Sequence, residues 1–102
     1  AEVNDWYEDW DTELIILANI YVATDKALWI VQSKKCERIS ESEVFQAQFD
    51  NLIPGCRYFF QVSYARIQQV KLSEEQGGGM IKCIAEEDGK EIGGHTDFHP
   101  LK

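Results

Sequence analysis

The residues around one proline–glycine pair constrain the fold of this chain more than any other feature. An apolar strand end, FDNLI at 49–53, runs into Pro54 and Gly55, and the aromatic and β-branched run CRYFFQVSYA follows. Pro54 fixes its own φ angle and Gly55 tolerates a positive φ, so the chain turns there and re-enters a sheet. Beyond the turn, alternate side chains share one face of an extended strand: Tyr58, Phe60, Val62 and Tyr64. The pattern predicts two strands joined by a tight turn.

The spacing of apolar segments extends this prediction to the whole chain. With 102 residues, 44% apolar and 12% aromatic, the chain is one domain with enough apolar side chains for one core. Trp29, Tyr58 and Phe60 are assigned to that core. Turn signals separate the predicted strands, which lie at about 13–22, 27–33, 44–49, 57–67, 80–85 and 91–98. The predicted fold class is all-β, an antiparallel two-sheet sandwich of about seven strands.

The run ELIILANIYV at 13–22 has two interpretations. It is rich in Ile and Leu and lacks the regularly spaced charges of a surface helix, which favours a buried strand with both faces apolar. A helix is the alternative, because Leu14, Ile15, Leu17 and Ala18 also fit helical spacing.

The N-terminal residues form a separate acidic and aromatic segment. Residues 1–13 contain six acids and no basic residue, with three large aromatic residues among them. The segment lacks the ligand spacing of a calcium-binding loop. The aromatic rings either cover an open end of the sandwich or anchor a basic, apolar partner. The candidates for partner binding are Trp6, Trp10, Asp9 and Asp11. The predicted organisation is this segment at 1–12, the sandwich at 13–98 and a tail at 99–102.

Three consecutive glycines form a second candidate contact region. Gly77, Gly78 and Gly79 end the segment SEEQGGG at 73–79, between two predicted strands. Because ordering three glycines costs much conformational entropy, the sequence predicts a mobile hairpin tip that could contact a partner. No Lys-Ser or Lys-Thr follows the glycines and no helix opens there, so they do not form a phosphate-binding loop.

The turn at Pro54-Gly55 resembles the E–F corner of a fibronectin type III domain, whose pattern is roughly Leu-x-Pro-Gly-Thr-x-Tyr-x-Val-x-Val-x-Ala. The matching positions are Leu52, Pro54, Gly55, Tyr58, Phe60 and Val62, while Cys56 and Tyr64 replace the usual Thr and Ala. The resemblance covers residues 44–66, and 77–86 by position only. It implies a fibronectin type III-like or immunoglobulin-like sandwich in which the Tyr58 hydroxyl hydrogen-bonds to backbone upstream. Such a domain is usually a binding module.

Three cysteines, at positions 36, 56 and 83, give an odd count without CxxC spacing, which does not support a zinc ribbon. In the implied sandwich, strand C ends near Cys36 and its neighbour, strand F, starts near Cys56. These two thiols are therefore expected to lie close enough for a disulfide in an oxidising compartment, with Cys83 apart from both. The alternative is that all three are small buried hydrophobic residues.

Composition and motifs weigh against several other functions. A net charge of −8 repels nucleic-acid phosphates, and no apolar run approaches the roughly 18–20 residues that cross a membrane. Neither nucleic-acid binding nor membrane insertion is expected. His95, Asp97 and His99 alternate near the C-terminus and could ligate zinc or nickel, although exposed polar residues are the simpler interpretation. Without a nucleophile–base pair, neither an enzyme nor a bound cofactor is predicted.

The expected function is a non-catalytic protein–protein interaction module of a larger or secreted protein. Because the chain is acidic, its partner is expected to be a protein with a basic contact face. The alternative is a small free-standing secreted inhibitor or effector that blocks an enzyme or receptor through its loops. A chain that begins with Ala1 is either a mature product of cleavage or a piece of a longer chain. The cellular location stays undetermined, with an extracellular one slightly favoured.

Overall fold

A computed structural model describes residues 15–63, 66–84 and 96–101. These ranges form an all-β fold of two antiparallel four-stranded sheets, which confirms the predicted two-sheet sandwich, with eight strands in place of about seven. The strands are β1 (Leu17–Ala23), β2 (Leu28–Lys35), β3 (Glu37–Arg38), β4 (Val44–Phe49), β5 (Arg57–Val62), β6 (Gln68–Lys71), β7 (Gly78–Ile84) and β8 (Thr96–Leu101).

The first sheet has the order β2-β1-β5-β6 and the second has the order β3-β4-β7-β8. The chain passes from the first sheet to the second at Cys36, between β2 and β3. In an immunoglobulin constant-type sandwich one sheet is ordered A-B-E-D and the other C-F-G. Here the first strand pairs with the fifth, and the second strand lies at the sheet edge. The resemblance to fibronectin type III domains therefore rests on the turn at Pro54-Gly55 and the strands beside it.

Two stretches of the chain differ from the predicted strands. The segment expected to be one strand at 57–67 is interrupted, because β5 ends at Val62 and Ser63 adopts a positive φ of 47°. A new strand, β6, starts at Gln68 and pairs back onto β5. At the C-terminus, β8 runs to Leu101, so the predicted boundary of the sandwich at residue 98 falls inside a strand.

The core lies between the two sheets and takes alternate side chains from each. The first sheet contributes Ala18, Ile20, Tyr58, Phe60 and Val62, and the second contributes Ala47, Phe49, Ile81 and Cys83. Ile16, directly before β1, is buried in the same cluster. The rings of Phe60 and Phe98 meet across the sandwich with centroids 5.6 Å apart. Each fully buried large apolar side chain stabilises the fold by roughly 1.5–3 kcal/mol relative to its exposed state.

Strand β1 confirms the extended interpretation of residues 17–22, in place of the helical alternative. The prediction that both of its faces are buried is wrong. Ile16, Ala18 and Ile20 are buried, whereas Ile15 and Leu17 are exposed. The second face is open because, within the described residues, only the inner face of the first sheet is covered by the other sheet.

The Pro54-Gly55 turn has the hydrogen bond that the fibronectin type III resemblance implied. The backbone N–H of Ile53 donates to the Tyr58 hydroxyl over 2.8 Å, and Gly55 adopts a positive φ of 77°. The N–H of Gly55 donates to the carbonyl of Ser73, which ties the turn to the segment that follows β6. The expectation for Tyr58 is therefore confirmed.

Candidate interaction surface

Strand β2 is an edge strand of the first sheet, and an unusually apolar one. Among the described residues it pairs only with β1, and nearly every residue along it is exposed on both faces. Trp29 is 60% exposed, Ile30 58% and Val31 46%. Edge strands in monomeric proteins are usually protected from pairing by charges, prolines or short length. In β2 the charges, Lys34 and Lys35, come only at its C-terminal end.

A β-bulge gives this edge its shape. Ile20 is opposite Gln32 but Tyr21 is opposite Ile30, so Val31 is an extra residue without a partner on β1. A bulge bends the strand and increases its local twist. As a consequence Ile30 shares the outer face of the sheet with Tyr21, while Trp29 shares the inner face with Val22.

Polar contacts fix the edge on its inner side. The Gln32 side-chain amide donates to the carbonyl of Asp50, and the Lys34 ammonium donates to the carbonyl of Gln48, both over 2.7 Å. The same ammonium lies 5.7 Å from the centroid of the Phe49 ring, within the range of a cation–π contact. These contacts hold β2 against the second sheet, so the edge is ordered before any partner arrives.

The outer face of the first sheet continues from this edge with both apolar and polar side chains. The register places one row of side chains across all four strands: Ile30, Tyr21, Phe59 and Gln69. Beside it runs a hydrogen-bonded chain in which Ser33 donates to Asn19 over 2.6 Å and Tyr21 donates to Gln61 over 2.9 Å. Partly exposed aromatic rings next to satisfied polar groups are typical of protein-binding surfaces.

Sequence reasoning missed this surface because it assigned Trp29 to the core. That prediction is wrong, since the indole is mostly exposed and its N–H donates to the exposed Thr24 hydroxyl, over 3.4 Å. The run LWIV at 28–31 was recognised as a strand, but apolar residues on both faces are equally typical of a buried central strand. The position of β2 at an edge depends on the order of strands in the sheet, which this run does not reveal.

The predicted mobile glycine tip is wrong. Gly78 and Gly79 begin β7 and are buried, and the turn lies earlier, at Glu74 and Glu75. A Cβ on Gly78 would overlap the backbone at Phe49, and one on Gly79 would overlap the Phe98 ring. Gly77 is half-buried, and its carbonyl accepts the N–H of Leu52 over 2.8 Å. These glycines permit close packing, so Gly77–Gly79 are not a flexible contact loop.

The predicted Cys36–Cys56 disulfide is wrong as well. Cys36 follows β2 and Cys56 precedes β5, and β1 lies between these two strands, so they are not neighbours. The N–H of Cys36 donates to Ile16 beside the start of β1, whereas Cys56 precedes β5, whose Phe59 is opposite Tyr21 near the other end of β1. The two cysteines therefore lie at opposite ends of the first sheet. Cys83, which was expected to lie apart from the other two cysteines, belongs to the same buried core cluster as Cys36.

The remaining predicted site residues lie partly inside and partly outside the described ranges. Trp6, Asp9, Trp10 and Asp11 lie outside the described residues, and so does His95. Asp97 and His99 are exposed at alternate positions of β8. Within residues 15–63, 66–84 and 96–101, no three metal-ligating side chains come together, and no helix has the length and apolar character to span a bilayer.

No known protein indicates what this surface binds. The chain matches no family model, and searches of curated proteins and of solved structures give no significant match.

Proposed function

We propose that this protein is a non-catalytic protein-interaction module that binds an extended segment of a partner protein along the edge of β2, which among the described strands pairs only with β1. The observation that carries the proposal is the exposure of Trp29, Ile30 and Val31 on an ordered edge strand. An exposed edge presents unpaired backbone N–H and C=O groups, and an extended peptide can pair with them as an added strand.

The side chains of β2 supply the specificity that backbone pairing lacks. In strand addition, main-chain hydrogen bonds give affinity and alternate side chains of the peptide are read on the two faces of the sheet. Ile30 and the ring of Tyr21 offer an apolar site on the outer face, and Trp29 offers one on the inner side. The partner segment should therefore be extended and apolar at alternate positions.

The negative charge of the chain is expected to raise the association rate of a basic partner. The whole chain carries a net charge of −8, and six of its acids lie within residues 1–13. A partner with a basic contact face would be attracted over a distance of about a Debye length, which raises the association rate more than the final affinity. The partner is thus proposed to combine an apolar extended segment with basic residues around it.

A peptide-display experiment tests this proposal. A library of random peptides is selected on the protein, and the dissociation constants of the selected peptides are measured for wild type and for Ile30→Lys. Ile67→Lys is the matched control, because Ile67 is also exposed (41%) but precedes the opposite edge strand, β6. We expect Ile30→Lys to weaken binding at least tenfold and Ile67→Lys to change it less than twofold.

Amide hydrogen exchange then locates the bound peptide. Strand addition predicts new protection along 28–35 when the peptide is bound. Equal weakening by both lysine variants, or protection confined to other strands, would contradict the proposal. A dimer of the free protein paired through β2 would assign the edge to self-association instead.

A further inference from the structure

The four strands of the first sheet contain no acidic residue, although the chain as a whole is strongly acidic. The full sequence has 18 acidic and 10 basic residues, which gives its net charge of −8. Strands β1, β2, β5 and β6 contain four basic residues and neither Asp nor Glu. Three of these bases lie on the outer face of the sheet: Lys35, Arg57 and Lys71. This face therefore has the opposite sign to the net charge of the protein.

Arg57 and Lys71 form a pair of like charges. They are opposite each other in the β5–β6 ladder and both are exposed, while the residues that follow them, Tyr58 and Leu72, are buried. Like charges directly opposite each other destabilise a sheet. In the described part of the chain neither base forms an ion pair, and Glu74 lies beyond the end of β6. An anion bound between the two cations would remove their repulsion, and a guanidinium can hold a carboxylate through two hydrogen bonds.

Two aromatic rings and a row of neutral polar groups lie between the bases at the two ends of this face. Tyr21 and Phe59 are opposite each other on the two inner strands, and both are half-buried. In a neighbouring row on the same face, Asn19 is opposite Ser33 on one side and Gln61 on the other. Hydroxyl and amide side chains both donate and accept hydrogen bonds, and aromatic rings offer apolar contact area. The face thus combines positive charge, apolar rings and neutral hydrogen-bonding groups.

The spacing of the bases along the face indicates a ligand with few charges per unit length. Lys35 is opposite Leu17, which is four residues before Tyr21 on β1. Arg57 is two residues before Phe59, the partner of Tyr21 on the antiparallel strand β5. At about 3.3 Å per residue, the bases at the two ends are therefore about 20 Å apart. Phosphates in a nucleic acid strand follow one another every 3.4 Å or so, which is a much denser row of charges.

An extended peptide fits this face less well than it fits the edge of β2. Strands β1 and β5 are each paired on both sides, so their backbone groups are not available to an added strand. Contacts on this face must come from side chains. A chain of sugar rings has hydroxyl groups for the amides and apolar C–H faces for the aromatic rings, and uronate sugars add carboxylates at intervals. These groups complement the charge and the chemistry of the face.

We propose that the outer face of the first sheet binds an anionic polysaccharide in which some of the sugar rings carry a carboxylate. One carboxylate would lie between Arg57 and Lys71. Sugar rings would pack against Tyr21 and Phe59, with hydroxyl groups bonded to the neighbouring row that contains Asn19. This site does not depend on peptide binding along β2, so the two proposals are tested separately.

Binding of defined oligosaccharides to the full chain tests this inference. Isothermal titration calorimetry at low salt is carried out with uronate-containing fragments of hyaluronan, alginate and polygalacturonate, and with neutral cello-oligosaccharides of equal length. We expect at least one uronate series to bind, with an affinity that falls as salt rises, because salt screens the attraction. The neutral sugars should bind at least about tenfold more weakly.

Three variants locate the site. Arg57→Gln removes one charge of the basic pair and should weaken uronate binding roughly tenfold, the usual effect of losing one charge-assisted hydrogen bond. Lys82→Gln is the matched control, because Lys82 lies on the outer face of the second sheet, and it should change the affinity less than about twofold. Asn19→Asp keeps an oxygen to accept the Ser33 hydroxyl but puts a negative charge on the face, so it should also weaken binding. Circular dichroism checks that each variant is folded.

Other results would overturn the inference. Absence of binding by every uronate series would show that the face does not recognise such sugars. Equal weakening by Arg57→Gln and Lys82→Gln would place the site elsewhere. Equal affinity for polyglutamate or oligothymidylate of the same length would show an unspecific attraction of anions.

Discussion

The ring of Phe98 lies over the backbone of Gly79 on the neighbouring strand. Phe98 is opposite Ile81 in the β7–β8 ladder, and its ring occupies the space that a Cβ on Gly79 would need. From there the ring reaches Phe60 of the opposite sheet, at a centroid distance of 5.6 Å. A glycine on β7 thus permits a contact that joins the two sheets, so the absence of a side chain at this position has a packing role.

Gly79→Ala should destabilise the protein, whereas Gly77→Ala should not. The new methyl group at position 79 displaces the Phe98 ring, and overpacking of this kind costs roughly 1–3 kcal/mol. At position 77 a Cβ would make ordinary contact, 3.5 Å from the carbonyl oxygen of Leu52, so Gly77→Ala should change the free energy of unfolding by less than about 0.5 kcal/mol. Urea denaturation of both variants measures the difference. Equal stabilities would contradict the close packing of Phe98.

Tyr58→Phe should cost about 1 kcal/mol of unfolding free energy, because it removes the hydroxyl that accepts the N–H of Ile53 and keeps the buried ring. Tyr58→Ala should cost roughly 3–5 kcal/mol, because it also empties the space of the ring. Tyr21→Phe is the control, since the Tyr21 hydroxyl donates to Gln61 on the open face and should contribute less than about 0.5 kcal/mol. If Tyr58→Phe and Tyr21→Phe melt alike, the corner hydrogen bond does not contribute to stability.

The sequence predicted those parts of the fold that local chemistry decides. Strand β4 and the start of β5 have the predicted limits, because Pro54 and Gly55 separate two runs of strand-forming residues. Strand β6 was missed, since QQVK at 68–71 has few of the residues that favour strands. It forms because its residues pair antiparallel with β5, on the side of β5 opposite β1.

The candidate site was harder to predict, because it depends on contacts between distant residues. Because Gly79 is the last of three consecutive glycines, the sequence suggested a turn residue. The structure shows that glycine is needed there because the Phe98 ring occupies the space of a Cβ. The exposure of Trp29 follows from the strand order, in which β1 and not β2 is central. The same strand order separates Cys36 from Cys56, because β1 lies between the strands next to them. A tight turn can be recognised from adjacent residues, whereas the neighbours of a strand cannot.

The acidic N-terminal segment provides the last prediction. Its residues lie outside the described part of the chain, so the prediction rests on charge alone. If the partner has a basic contact face, association should slow as salt rises from about 0.05 to 0.5 M, because screening shortens the range of attraction. Changing Asp5, Glu8, Asp9 and Asp11 to Asn or Gln should lower the association rate at low salt and flatten its salt dependence, with a smaller effect on dissociation. Stopped-flow or surface-plasmon kinetics with a selected peptide carried on a basic scaffold measure both rates. An unchanged association rate in the neutralised variant would show that the acidic segment does not take part in association. The proposed site would then consist of β2 alone.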